Sequence, residues 1–411
     1  MTKSDLLFLA VLAVVPVQLG KFFFFEYSFV LGIPIDYRAI SVYFGDLVIL
    51  SYFIVFVFEN VGSVKKILNA RKGLIWVFFV FNLYLFTTSS LFSISAPASL
   101  WFSLKFLEFS LLAIFASISF SRLKSSNLTS VVFIFSILWQ SAVMVLQFVF
   151  QRSLGLSFLG ERAFDSSTTA IAHSQFFGRQ YLRPYGTFPH PNVVSAFLVI
   201  YLTIFLFGVT VRLKMRKFQF IYLLVFLVAL VLAYSKAAFG AIAIGFLTTL
   251  RSSVRLVLII ILGGFLFLLF FRFFPPSQVA SIAERLLLSQ AAFDIAIKNP
   301  ILGIGSGNFT LALSRLNLFS LSEIRLLQPV HNVFLLILVE NGIVGLLLFV
   351  TLLWVVAKSA LSRPKIALFM ILLVFLSFDH FLWTLQQGQL LLAVSIGFIV
   401  GAKNAARESL Q

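Results

Sequence analysis

The stretch His331-Asn332-Val333-Phe334-Leu335-Leu336-Ile337-Leu338-Val339-Glu340-Asn341-Gly342-Ile343-Val344-Gly345-Leu346-Leu347-Leu348-Phe349-Val350 decides the fold class, because it runs on to Ala357 as one apolar segment between Pro329 and Lys358. About 20 such residues suffice for a helix to cross a bilayer, and the window 330–357 is longer than that. The rest of the 411-residue chain has the same texture: 61% hydrophobic and 11% charged, with a mean hydropathy of +1.06. Ordinary soluble domains carry about 25% charged residues. The chain therefore reads as an all-α integral membrane protein. Its 53 Phe residues are spread through nearly every apolar run, as lipid-facing and interhelical filler.

Charged and Pro/Gly-rich breaks delimit about twelve transmembrane helices, near 5–20, 40–58, 73–91, 99–119, 129–150, 190–211, 218–234, 237–250, 256–274, 330–357, 366–383 and 388–402. The seventh and eighth are short and meet at Tyr234-Ser235-Lys236 without an evident loop. The first run, Leu6 to Leu19, lacks a small-residue cleavage site and is expected to be retained as the first helix.

Basic residues cluster in the even connections: Lys65, Lys66, Arg71 and Lys72; Arg122 and Lys124; Arg212, Lys214, Arg216 and Lys217; Arg251 and Arg255; Lys358, Arg363 and Lys365. The positive-inside rule then puts both termini in the cytoplasm. It makes 1–411 a single polytopic domain with two long extracytoplasmic loops, 151–189 and 275–329. Within the second loop, Ser281 to Lys298 has apolar residues at helical spacing with charges interleaved, which predicts an amphipathic helix at the outer interface.

The same distribution explains the net charge of +17 without a nucleic-acid partner. The absence of cysteine excludes disulfides, thiolate nucleophiles and cysteine metal sites. The cytoplasmic connections hold no P-loop, dinucleotide fingerprint or Asp-x-Asp pair, which argues against use of a cytoplasmic nucleotide sugar.

Candidate chemistry lies on the outer side, where all four histidines, His173, His190, His331 and His380, fall. Arg183-Pro184-Tyr185-Gly186-Thr187-Phe188-Pro189-His190-Pro191-Asn192 leads into the sixth span. A helix start and a nearby arginine suit an anion, or Arg183 binds lipid headgroups at an interfacial turn. Glu284-Arg285 precedes Asn299-Pro300-Ile301-Leu302-Gly303-Ile304-Gly305-Ser306-Gly307-Asn308-Phe309, whose alternate glycines permit close backbone approach or a surface turn. Pro329-Val330-His331-Asn332 puts an imidazole at the mouth of the tenth span, for proton exchange or for structure. Glu340, nine residues deeper, requires a buried partner or a wet cavity. Lys105 and Glu108 are spaced for a local ion pair. Asp379-His380 either lines a polar vestibule or caps helices.

Taken in order, three segments resemble the O-antigen ligase family and its polymerase relatives. They are Arg183-x-x-Gly-Thr-Phe before Pro191-Asn192; Glu284-Arg285 followed by Asn299-Pro-x-x-Gly-x-Gly-x-x-Asn308-Phe309; and His331-Asn332-x-x-Leu335 followed by Glu340-x-Gly342. The resemblance implies a GT-C-type glycosyltransferase fold that moves a glycan from undecaprenyl diphosphate to an acceptor hydroxyl on the outer face of the bacterial inner membrane. It implies no cofactor and no metal. Carried over, it makes His331 the residue that assists the acceptor and Arg183 and Arg285 the diphosphate ligands; Glu340, Asn332 and His190, read from their own positions, are supporting candidates. Relatives often have Ser-Arg where this chain has Ser235-Lys236. Lys236 keeps the charge without the planar fork, so it is a supporting candidate only.

Inversion at the anomeric carbon is the expected outcome of a single displacement. The expected partners are the lipid-linked glycan donor, a lipid, glycan or protein acceptor, and membrane lipids. Three activities remain open: a ligase; a polymerase or protein O-oligosaccharyltransferase; and a non-enzymatic flippase or transporter of lipid-linked sugars.

Overall fold

The computed structural model describes residues 1–63, 67, 69–123, 126–169, 171–176, 179–208, 216–249, 276–316 and 326–401, with side chains described except at 176, 207–208, 216–222, 249 and 276–281. The expected ninth span, 256–274, lies outside the described residues, as do Lys65, Lys66, Lys124, Arg212, Lys214, Arg251 and Arg255. The chain is mostly helical: α1 Lys3–Val14, α2 Phe44–Asn60, α3 Lys72–Leu91, α4 Ala96–Leu123, α5 Asn127–Phe150, α6 Pro191–Gly208, α7 Arg216–Ala233, α8 Lys236–Thr249, α9 Pro276–Lys298, α10 Phe309–Ser314, α11 Val333–Ser359, α12 Arg363–Phe378, α13 Phe381–Thr384 and α14 Gln386–Gly401.

Among the described residues, five helices are long and apolar enough to cross a membrane: Phe44–Ser63, Lys72–Leu91, Ala96–Leu123, Asn127–Phe150 and Val333–Ser359. Four more apolar helices are shorter. Phenylalanine serves both expected roles. Phe58 is 76% exposed on the perimeter, whereas Phe78, Phe81, Phe106 and Phe133 are buried between helices.

Short joins are made by specific backbone devices. Tyr234 takes a left-handed φ of 49° between α7 and α8, so one helix ends and the next begins within two residues, without a loop. The expected eleventh span runs too far: α12 stops at Phe378 because Asp379 is extended, with φ −154° and ψ 168°. At the other end of the chain, Gly397 and Gly401 let α14 approach α4 so closely that an added Cβ would stand 2.6 Å from Ala116 Cβ or 2.5 Å from Ser117 O. Small residues at this spacing are how membrane helices gain close packing.

Among the described residues, three two-stranded antiparallel sheets add strands that hydropathy gives no hint of: β1 Gly20–Phe23 with β4 Ile40–Tyr43, β2 Phe29–Val30 with β3 Ile33–Pro34, and β5 His173–Phe176 with β6 Arg179–Leu182. They lie in the first and fifth connections. The predicted amphipathic helix forms as α9, but its faces differ from expectation. Leu288, Ala291, Ala292, Ile295 and Ala296 are buried, whereas Ile282, Leu286, Phe293 and Ile297 form an exposed apolar stripe.

Among the described residues, odd and even connections separate onto two faces. On one, Arg71 donates to Gly401 O (3.2 Å), Arg122 to Asn60 Oδ1 (2.5 Å), Lys3 N–H to Glu59 Oε1 (2.9 Å), and Lys365 to Ile399 O. On the other, Gln18 N–H donates to Leu159 O (3.0 Å) and Ile94 N–H to Ile304 O (3.0 Å). Arg162 pairs there with Asp36 (2.9 Å) and Gln386 donates to Asp46 (2.5 Å). The candidate chemistry is on this second face.

Candidate functional site

The mouth of α11 is built on a broken helix. Gly342 sits at φ 62°, ψ −170° inside α11, a conformation available essentially to glycine alone. The break would leave buried backbone groups unpaired, and the Asn299–Asn308 segment supplies their partners. Ile304 N–H donates to Val339 O (3.1 Å) and Gly305 N–H to Glu340 O (2.7 Å). Ile343 N–H in turn donates to Pro300 O (2.8 Å). An added Cβ at Gly303 would lie 2.4 Å from Glu340 C, so the glycine spacing serves close backbone approach. Buried Glu340 accepts from Phe309 N–H (3.1 Å). The fully buried Arg38 locks the first connection to the same loop through Gly307 O (3.2 Å) and Asn308 Oδ1 (2.7 Å).

Above this break, Asn332 caps α11. Its Oδ1 accepts from Leu335 N–H (2.9 Å) and its Nδ2 donates to Ser377 O (3.0 Å), which draws the end of α12 alongside. His331 therefore stands beside Asp379. Its Nδ1 is 3.4 Å from Asp379 Oδ1, and among the described residues its Nε2 has no hydrogen-bond partner. Asp379 Oδ1 also accepts from His380 N–H (2.8 Å), and Oδ2 accepts from Asn192 Nδ2 (3.1 Å). Burial works against its charge, but the His331 hydrogen bond and the surrounding imidazoles keep Asp379 well below the usual carboxylate range. The carboxylate orients the His331 ring from its Nδ1 side.

Two more imidazoles adjoin. The His380 ring is centred 5.2 Å from that of His331. Its Nδ1 is 2.7 Å from Thr384 Oγ1, and Tyr37 packs edge-on against it at 5.7 Å. His190 Nδ1 accepts from Asn192 N–H (3.1 Å), so its proton is on Nε2. Burial holds both His190 and His380 down to about 3, with the Arg183 charge adding to the effect at His190 and the Asp379 charge opposing it at His380. Both are neutral near pH 7.

Two arginines border this group, and a lysine lies near them. Arg183 donates from Nε to Ala233 O (2.8 Å) and from Nη2 to Asn192 Oδ1 (2.9 Å), which leaves Nη1 for a ligand. Burial lowers it to about 10, so it stays charged at neutral pH. Arg285 reaches over from α9 to Phe378 O (2.9 Å). Lys236, at the start of α8, lies within the electrostatic reach of both arginines. No protein anion among the described residues forms an ion pair with either arginine. His331, Asp379 and His380 also offer one ligand atom each within 4.8 Å, enough to hold a divalent cation by geometry alone.

Residues 192–350 match the family model described as O-antigen ligase. The motifs that resemble that family span much the same region. Its members are membrane enzymes, ligases and polymerases, that act on lipid-linked glycans. A search of curated proteins found no match.

The matched O-antigen ligase segment contains His331, Arg285, Lys236 and Asn332, whereas Arg183 and His190 lie just before it. The fold brings His331, Arg183 and His190 to Asp379, Arg285 and Asn332 to the residues just before it, and Lys236 within electrostatic reach of the two arginines. Glu340 is set apart, facing the glycine loop and the Arg38 charge. The reading of Lys105 and Glu108 as a simple local pair needs enlarging. Lys105 Nζ bonds Asp46 Oδ2 (2.6 Å) more closely than Glu108 Oε2 (3.1 Å), which ties α4 to α2. Sequence reasoning left Asp379 and His380 undecided and passed over Tyr37 and Thr384. The only available signal was an ionisable pair at the turn between two apolar runs.

Proposed function

We propose that this chain is a GT-C-type glycosyltransferase with about twelve transmembrane helices, in the bacterial inner membrane, that moves a glycan from undecaprenyl diphosphate to an acceptor hydroxyl on its outer face. The observation that carries the reading is the convergence of Arg183 and Arg285 on half-buried His331 and its buried partner Asp379, with Lys236 within electrostatic reach of both arginines, in a chain whose segment 192–350 matches the O-antigen ligase family.

Arg183 and Arg285, which have no ion-pair partner among the described residues, suit a diphosphate, and Lys236 adds positive charge within reach of both. As the glycosidic bond to the carrier breaks, negative charge grows on the leaving diphosphate, and Arg183, Arg285 and Lys236 stabilise it. The acceptor hydroxyl attacks the anomeric carbon from the opposite face and gives its proton to His331 Nε2, while Asp379 stabilises the imidazolium from the Nδ1 side. One bond to the anomeric carbon forms as one breaks, so the configuration inverts. A divalent cation on His331, Asp379 and His380 would add two positive charges beside three. We therefore read that group as proton-handling and metal-independent. A flippase would extend its polar groups toward the opposite face, whereas these stay on one.

The test is transfer by purified protein in nanodiscs from an undecaprenyl diphosphate-linked glycan. His331→Ala should lower turnover by about 10² to 10⁴, the usual worth of positioned proton transfer, with donor binding and membrane levels near normal. His331→Gln should be nearly as slow, since an amide cannot accept the proton. Near-wild-type turnover by the Ala variant would remove His331 from the chemistry. Deletion of the gene separates the two enzyme readings: full-length glycan left on its carrier marks a ligase, and single repeat units mark a polymerase.

A further inference from the structure

One imidazole is enough for the proposed transfer, yet a second stands beside it. His380 is 5% exposed, contributed by the turn between α12 and α13 and held on three sides. Asp379 Oδ1 fixes its backbone N–H, Thr384 Oγ1 fixes its Nδ1, and the edge of Tyr37 fixes the ring plane. Its Nε2 has no hydrogen-bond partner among the described residues. His331 repeats the arrangement, with Nδ1 on Asp379 and Nε2 unpaired. The two histidines thus share one carboxylate, His331 through its ring and His380 through its backbone N–H; their rings are centred 5.2 Å apart, and each keeps one ring nitrogen for a ligand.

We infer that His380 positions the acceptor, and that the acceptor is a sugar with two adjacent free hydroxyls rather than an isolated serine, threonine or lipid hydroxyl. One hydroxyl is the nucleophile at His331 Nε2, and its neighbour on the ring hydrogen-bonds His380 Nε2. Vicinal ring hydroxyls are close enough for each to reach one of two neighbouring imidazoles, and a hydroxyl both donates and accepts, so either tautomer of His380 serves. Neither ring nitrogen is among the buried unpaired atoms, so a ligand hydroxyl can reach both. This inference rests on the transferase reading above and narrows its acceptor class to glycan.

The experiment uses full-length protein in nanodiscs, a saturating undecaprenyl diphosphate-linked glycan donor, and as probe acceptors a synthetic glycolipid ending in one hexose and its monodeoxy analogue. His380→Ala should raise the acceptor KM about tenfold, the worth of one well-made hydrogen bond, with a smaller change in kcat and unchanged donor affinity. Wild type should prefer the full hexose over the deoxy analogue by a similar factor, and His380→Ala should lose that preference.

Two conservative variants separate contact from support, because a Gln amide reaches the Nε2 position and an Asn amide only the Nδ1 position. Rescue of KM by His380→Gln but not by His380→Asn supports acceptor contact. The reverse order, or an unchanged KM, overturns the inference and leaves His380 as a strut for Thr384. If the Ala variant fails to fold, the Gln and Asn pair still decides. Equal use of the two acceptors by wild type also overturns it. Wild type that transfers to neither acceptor overturns the transferase reading, and this inference with it.

Discussion

The histidines of the site differ in how they respond to acid. His190 and His380 are held down to about 3 by burial, against about 6.5 in an unfolded chain. Between those values the unfolded chain binds protons that the folded chain does not, so stability is full above about pH 6.5 and is lost as pH falls toward 3. Each imidazole should contribute about 1.4 kcal/mol per pH unit across that window. The apparent melting temperature of the protein in detergent should therefore drop from pH 7.5 to pH 5.5. His380→Gln, which has no such proton to exclude, should show a visibly shallower drop. The same slope in both proteins would mean that His380 is not held neutral.

At the scale of elements, the site depends on a helix that is broken on purpose. The loop amides of Ile304 and Gly305 and the carbonyl of Pro300 take the place of missing helical hydrogen bonds, which fixes how α11 presents Asn332 and His331. At Gly342 an added Cβ would stand 2.1 Å from Ile301 O, at a φ of 62°. Gly342→Ala should cost more than about 3 kcal/mol, the upper range for strained backbone with a backbone clash added. It should be seen as a large loss of monodisperse protein on extraction. Gly62→Ala, where an added Cβ meets nothing within 4 Å, should behave as wild type. Normal yield of the Gly342 variant would show that the break is not needed.

On the scale of the whole molecule, the two faces make a topological prediction. Thr169 and Ser362 are exposed on opposite faces, and the basic residues Lys358, Arg363 and Lys365 mark the second as cytoplasmic. The chain has no cysteine, so single substitutions report cleanly. In intact cells an impermeant thiol reagent should label Thr169→Cys and spare Ser362→Cys until the membrane is opened. The opposite pattern would invert the orientation and put the candidate site on the cytoplasmic side.

The sequence by itself determined the membrane class, most helix positions and the placing of His331 at a helix mouth. Each depends on a local property: an apolar run long enough to span, a charge that ends it, or a proline beside it. The order of the three family motifs was equally legible, being one-dimensional. Only the tertiary structure decided that Asp379 and His380 join His331 across 48 residues, that Arg38 clamps Asn308 across 270, and that Glu340 serves the glycine loop instead of the site. The physical reason is that lipid is as apolar as the helix interior. The faces of a membrane helix then carry little amphipathic contrast, and the pattern that would tell an inward face from an outward one is largely missing. The strands of the first and fifth connections escaped notice for a related reason: they pair in segments too short for alternation to register, and only packing over the helix ends fixes their register.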